Sequence, residues 1–200
     1  MNEINYYKKA KFIKSVVNFE TDSPSLKLNE VLFVGRSNVG KSSLINAITH
    51  NSKLAFVSSK PGHTRLLNYY LIDDLFYLVD APGYGFSSEK GKDYKFYGDM
   101  LENYLSNNSN LKVVIFLLDS RRIPNEEDIM LYDFLKINNI PFILVMTKAD
   151  KANMSERSKI EKNLSLSFAD FKKDNYFLVS IKNGKLLNNF IDKLNQYVKR

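Results

Sequence analysis

The chain predicts an α/β fold: a three-layer sandwich around a mostly parallel six-stranded sheet, with one strand running antiparallel. Three observations carry this expectation. Apolar strand-like runs alternate with helical patterns along most of the chain. Several runs, notably Val113–Leu118 and Phe142–Val145, are apolar without alternation, as strands covered by helices on both faces are. Finally, the runs Leu66–Ile72 and Leu75–Asp80 are separated only by Asp73-Asp74. A turn that short cannot hold a crossover, so these two strands are expected to be antiparallel neighbours.

In chain order the expected strands are Val31–Val34, Leu66–Ile72, Leu75–Asp80, Leu111–Asp119, Pro141–Thr147 and Tyr176–Ser180. Helical spacing of apolar residues is expected over Lys41–Thr49, Tyr94–Ser106, Asn125–Asn138, Ser155–Asp170 and Gly184–Val198. No repeat, Pro-rich linker or low-complexity break divides the 200 residues, which are read as one domain with residues 1–28 a basic N-terminal arm. Two long irregular stretches, His50 to Arg65 and Gly83 to Asp93, flank the motifs described below. Loops of that length in a compact domain are usually functional.

Composition narrows the function classes. Hydrophobic residues at 44% and charged residues at 26% fit a folded globular chain rather than a disordered one. The longest purely apolar run is the six residues Val113–Leu118, far short of the roughly 20 that span a bilayer, so no membrane span is expected. The N-terminus, with Glu3, Lys8, Lys9 and Lys11, lacks the apolar core of a secretory signal. Cysteine is absent, which excludes disulfides and thiolate metal sites and fits a cytoplasmic location. The net charge of +7 is unevenly placed: Val31 to Ile72 carries Arg36, Lys41, Lys53, Lys60 and Arg65 and no acid. The C-terminus adds Lys182, Lys185, Lys193, Lys199 and Arg200 against Asp192 alone. A polyanionic ligand or nucleic acid accounts for such a field, and so does a general lysine bias.

The chemistry is concentrated in a few motifs. Gly35-x-x-x-x-Gly40-Lys41-Ser42 follows an expected strand and opens an expected helix, the context in which backbone N–H groups and a helix N-terminus cradle phosphates. This is the P-loop of nucleoside triphosphatases. Lys41 is expected to reach the β- and γ-phosphates, and the Ser42 hydroxyl to ligate Mg²⁺. Asp80-Ala81-Pro82-Gly83 closes the second hairpin strand, where a carboxylate can hold Mg²⁺ through water and the Gly83 N–H can meet a γ-phosphate. Thr147-Lys148-Ala149-Asp150 ends another strand and selects the base. A carboxylate accepts both guanine N1–H and N2–H₂, a donor pair that adenine lacks. The Lys148 stem can lie over the ring, and the backbone of Ser180-Ile181-Lys182 can donate to guanine O6. Thr64, in Pro61-Gly62-His63-Thr64-Arg65, is the candidate for a mobile-loop Mg²⁺ ligand ordered by the γ-phosphate.

The expected nucleotide site therefore comprises five segments. They are Gly35, Arg36, Ser37, Asn38, Val39, Gly40, Lys41, Ser42 and Ser43; Gly62, His63 and Thr64; Asp80, Ala81, Pro82 and Gly83; Thr147, Lys148, Ala149 and Asp150; and Val179, Ser180 and Ile181. Lys41, Thr64 and Gly83 are the catalytic candidates, and Ser42, Thr64 and Asp80 the metal ligands. GTP and GDP are the expected ligands.

These residues resemble the EngB family of bacterial ribosome-assembly GTPases, in the broader Era-like translation-factor class. The stretches that carry the resemblance are GRSNVGKSSLINAI (Gly35–Ile48), SSKPGHTRLLNYY (Ser58–Tyr70), LVDAPGYGF (Leu78–Phe86), TKAD (Thr147–Asp150) and VSIKNG (Val179–Gly184). The resemblance implies GTP hydrolysis with Mg²⁺, association with the large ribosomal subunit or its precursors, and a link to cell division and septation. A monomer is expected. Relatives typically carry Lys where this chain has His63, so no charge is carried over to that position. Tyr84 stands where many GTPases place a Gln that orients the attacking water, which implies slow intrinsic hydrolysis completed by a partner or a monovalent cation. Asn38 is a candidate K⁺ ligand, as in cation-dependent members of the class; alternatively it accommodates a tight loop. Aromatics in Tyr84-Gly85-Phe86 and Tyr94-x-Phe96-Tyr97 either stack on a partner or face the core. A reading from a different class is a nucleotide-gated interaction protein at the division site with no ribosomal role.

Overall fold

The structure is a computed structural model that describes residues 6–55, 66–85, 92–172 and 176–198. Its seven strands are β1 (Ala10–Val16), β2 (Asn29–Gly35), β3 (Leu67–Ile72), β4 (Phe76–Asp80), β5 (Leu111–Asp119), β6 (Phe142–Thr147) and β7 (Tyr176–Leu178). Its helices are α1 (Phe19–Asp22), α2 (Lys41–Ile48), α3 (Lys92–Asn107), α4 (Glu126–Ile137), α5 (Met154–Ser167) and α6 (Gly184–Val198). The strands form one sheet in the order β1-β3-β4-β2-β5-β6-β7. Both partners of β3 pair with it antiparallel and every other pairing is parallel, so β3 alone runs against the sheet. No helix among the described residues is long and apolar enough to cross a membrane.

Continuous apolar runs make the central strands because both faces are covered. In β2, Leu32 and Val34 join one core with Val114 and Phe116 of β5, under α3, α4 and α5. Val31 and Phe33 join the other with Val113 and Ile115, under α2 and α6. Successive side chains thus enter opposite layers, as the two-residue period of a strand requires. The β3–β4 hairpin turns where Asp73 and Asp74 both adopt left-handed φ, +48° and +57°. That geometry suits a tight hairpin, and Leu75 N–H closes it on the Ile72 carbonyl at 2.9 Å.

The sheet has one strand more than expected. β1 comes from the segment read as a basic arm and pairs with β3 through a register shift between Phe12 and Lys14. It is an edge strand with Lys11 exposed and Phe12 51% exposed, so it lacks the apolar signature of the central strands. Tyr7 fastens the residues before it: its ring packs edge-on against Phe76, and its hydroxyl donates to Asn195 Oδ1 of α6 at 3.0 Å.

Glu30 is a buried carboxylate at the start of β2, 3% exposed. Its Oε2 accepts from Tyr104 Oη at 2.6 Å, Asn108 Nδ2 at 2.9 Å and Tyr69 Oη at 3.2 Å. This joins β2 and β3 to the C-terminal turn of α3. Burial, reinforced by the neighbouring Glu30 charge, pushes the Tyr104 phenol well above its ordinary value, so it stays a donor. Glu30→Gln keeps the shape but replaces a charged acceptor by a weaker one. It is expected to lower the unfolding free energy by about 1–3 kcal/mol, read from the midpoint shift in urea denaturation at constant slope.

Candidate nucleotide-binding site

The cradle runs from the end of β2 into α2. A Cβ on Gly35 would stand 2.6 Å from the Leu117 carbonyl oxygen, so only glycine fits against β5. Gly40 caps α2 at φ +111°, a conformation that favours glycine, and no side chain caps this helix. The donors of its first turn are therefore available to an anion. Asn38 is left-handed at φ +62°, which fits the tight-loop reading of that residue.

The loop after β4 closes on the cradle. Ser37 N–H donates to the Tyr84 carbonyl at 2.9 Å, and Ser37 Oγ donates to the Gly83 carbonyl at 3.1 Å. A Cβ on Gly83 would lie 2.8 Å from the backbone nitrogen of Ser37, so this close approach requires glycine. Lys41 Nζ stands 3.7 Å from Asp80 Oδ1, an ion pair too long to be a hydrogen bond. Burial pushes the Asp80 carboxyl above its ordinary range, against the pull of Lys41. Asp80 Oδ1 is buried without a hydrogen-bond partner. An orphaned carboxylate oxygen beside a lysine and a helix N-terminus is a fit for a hydrated hard cation carrying phosphate oxygens. Among the described residues there is no group of three or more His, Cys, Asp or Glu able to hold a metal. A cation here would therefore draw on hydroxyl, phosphate and water oxygens besides Asp80.

The segments ending β6 and β7 converge on the other side of the cradle. Thr147 Oγ1 donates to the Val39 carbonyl at 2.6 Å, with the Leu118 carbonyl 3.1 Å away. Ala149 N–H donates to the Val179 carbonyl at 3.2 Å. Ser180, 2% exposed, donates its hydroxyl to Asp150 Oδ1 at 2.8 Å. That bond leads the interactions that lower the Asp150 carboxyl from its ordinary value, so it stands ionised at neutral pH. Asp150, Lys148, Thr147, Val179, Ile181 and Gly40 are among the residues lining a cavity of about 180 Å³. Such a cavity can take a planar base with a carboxylate at its edge.

One cluster in the site was not expected from the sequence. Asp119, at the end of β5, receives Lys148 Nζ at 2.9 Å and a fork of bonds from Arg121, Nε at 2.9 Å and Nη2 at 2.7 Å. Of the two readings of Tyr84, the structure gives the core-facing one: the ring is buried, and its hydroxyl donates to Asp128 Oδ1 at 2.7 Å. The other Asp128 oxygen accepts Asn125 N–H in the capping box of α4, so the phenol is tied to a helix start. Gly62, His63 and Thr64 lie outside the described residues, as do Phe86 and the side chains of Tyr94 and Tyr97.

Asp119 gives a pH prediction. Burial alone would raise its carboxyl, but the hydrogen bonds from Arg121 and Lys148 outweigh burial and hold it well below the usual carboxylate range. A depressed folded value stabilises the fold above the unfolded value, about 3.9, and that contribution fades as pH falls towards the folded value. The difference in melting temperature between the parent and Asp119→Asn should therefore be constant from pH 5 to 7, about 3.9 being passed only below that range. It should shrink progressively under pH 4, by the same linkage that sets about 3.9 as its upper edge.

The model of the family described as 50S ribosome-binding GTPase matches residues 30–148 of this chain. With the sheet and the cradle, this defines a P-loop GTPase, an enzyme that hydrolyses GTP. The chain is 43% identical over 187 residues to a probable GTP-binding protein EngB of Clostridium botulinum (strain Alaska E43 / Type E3), covering 94% of each. It is 47% identical over 161 residues to that of Mesoplasma florum, covering 78% of this chain and 79% of the other. The chain belongs to the EngB family of GTP-binding proteins. Among solved structures, a probable GTP-binding protein EngB superposes with a TM-score of 0.69 at 23% identity, covering 85% of this chain and 98% of that one. Era in complex with MgGDPNP and a fragment of 16S ribosomal RNA gives 0.62 at 23%, covering 86% of this chain and 57% of Era. Both likenesses concern the fold.

Proposed function

We propose that this chain is a cytoplasmic, monomeric switch in assembly of the large ribosomal subunit, binding precursor particles in its GTP form and leaving after hydrolysis. A need for it in normal cell division and septation belongs to the same proposal. The observation that carries the reading is the match to a 50S ribosome-binding GTPase model across the residues that build the cradle and the strands around it. Charge supports it. The Tyr7–Asn195 bond sets the N-terminal segment, with Lys8, Lys9, Lys11 and Lys14, against α6, with Lys185 and Lys193. The first of the N-terminal lysines is thereby brought near the C-terminal half of α6, and exposed lysines are a footing for a phosphate backbone. Era, which shares the fold, was solved with ribosomal RNA.

In this reading Lys41 meets the β- and γ-phosphates, and Gly83 N–H meets the γ-phosphate. Ser42 and Asp80 hold Mg²⁺, joined by Thr64 when GTP is bound. When bound, Mg²⁺ neutralises charge on the phosphate oxygens. Asp150 reads the guanine edge, Lys148 covers its face, and the backbone at Ser180 and Ile181 faces O6. The Tyr84 hydroxyl, committed to Asp128, does not orient the attacking water. Hydrolysis is therefore slow until a ribosomal partner or K⁺ held at the Asn38 side chain completes the site. Turnover is expected to rise at least about tenfold with large subunits in K⁺ buffer. Equal rates in K⁺ and Na⁺, with and without subunits, would count against both routes.

Co-sedimentation tests the function itself. The chain with a non-hydrolysable GTP analogue should migrate with large-subunit or precursor fractions and be released by GDP. Its absence from those fractions would leave a nucleotide-gated interaction protein without a ribosomal role, at the division site, as the remaining reading.

A further inference from the structure

We propose that Asp119 is a positioning residue for guanine nucleotides: clamped by Arg121, it fixes Lys148 between the base cavity and the phosphate cradle. Lys148 begins from a left-handed backbone, φ +57°, and its Nζ divides its bonds between the Asn38 carbonyl at 2.7 Å and Asp119 Oδ2 at 2.9 Å. Its Cε would stand 3.9 Å from a Cβ on Gly40, so the stem runs past the start of α2 to reach the cradle. The same side chain lines the cavity that ends at Asp150.

A lysine carries four rotatable bonds, and a lone carbonyl is a weak anchor for an ammonium. Asp119 supplies the charge that holds it. Its own geometry is over-determined: its side chain is 7% exposed, and Arg121 binds it by a two-pronged fork and by backbone N–H at 3.1 Å. The carboxylate cannot follow Lys148 outward, so the lysine is held inward. The chain Arg121–Asp119–Lys148–Asn38 therefore fastens the end of β5 to the cradle, across a sequence distance of 110 residues between Lys148 and Asn38. A loosened Lys148 would uncover the base face and free the Asn38 carbonyl together, weakening GDP and GTP alike.

The inference rests on the cavity being the base site, which Asp150→Asn tests separately, so failure of one is distinguishable from failure of the other. The experiment is a double-mutant cycle on the full chain, read as the Kd of a fluorescent GDP analogue beside the melting temperature of each variant. Asp119→Asn should weaken GDP about tenfold, a loss of roughly 1.4 kcal/mol. Lys148→Met should weaken it at least as much, and the double variant no more than Lys148→Met alone. A purely structural Asp119 would lower the melting temperature and leave the Kd unchanged, or its effect would multiply with that of Lys148→Met; either result overturns the proposal. Should Asp119→Asn unfold, Arg121→Gln gives the same test from a more exposed position. It should weaken GDP about threefold with the same non-additivity, and an unchanged Kd would overturn the clamp.

Discussion

Asp150→Asn is expected to lower GTP affinity by about 10²–10⁴-fold and to create affinity for xanthosine triphosphate where the parent has little. Two bonds to an ionised carboxylate, each worth roughly 1.5–3 kcal/mol, set that scale. The swap follows from donor arithmetic. An aspartate offers acceptors only, matching the N1–H and N2–H₂ edge of guanine, whereas an amide presents one acceptor and one donor, matching the edge of xanthine. The site is prepared for the ionised form: Ser180 donates to Oδ1, and Lys182 Nζ lies 3.9 Å from Oδ2. Asparagine can keep the Ser180 bond through its own oxygen, so the fold should survive with a melting temperature close to that of the parent. Competition titration of GTP, XTP and ATP against a labelled nucleotide reads the result. Unchanged guanine preference would mean that the base is held elsewhere.

Lys41→Met is expected to reduce kcat for GTP by about 10³-fold, the scale for removing a preorganised charge from phosphoryl transfer. The methionine keeps the apolar stem and the packing around it, so the loss isolates the ammonium. That ammonium stands beside the buried, unsatisfied Asp80 oxygen. It also lies at the start of a helix with no side-chain cap, where an anion at the helix N-terminus would come within its reach. Single-turnover hydrolysis at saturating GTP separates the effect from weakened binding, and a kcat within about threefold of the parent's would deny Lys41 a part in the chemical step.

The parts of this molecule that could be read in the sequence are those whose signal is local. Val113–Leu118 reads as a buried strand because its apolar run has a strand's length and is too short for a helix buried on every side, and the turn at Asp73-Asp74 fixes a hairpin by its length alone. The cradle and the Asp150 segment are legible because phosphate and guanine impose fixed spacings on neighbouring residues. β1 escaped because its lysines and exposed Phe12 belong to an edge strand with a register shift. The role of Glu30 depends on phenols and an amide 39, 74 and 78 residues away. Asp119 likewise acquires its meaning from Lys148, 29 residues on. Tyr84 was legible as a departure from Gln and as a residue that could face the core, but not its acceptor, since Asp128 follows 44 residues later. Nothing in a single sequence marks such partners until the fold brings them together.

The proposed switch stands or falls on the affinity of the chain for purified large ribosomal subunits, measured with a non-hydrolysable GTP analogue and with GDP. A switch requires the GTP form to bind at least about tenfold more tightly, and linkage requires subunits to tighten GTP-analogue binding over GDP by that same factor. Equal affinity of the two nucleotide forms for the subunit, or no binding by either, would rule out a nucleotide-controlled switch on the large subunit.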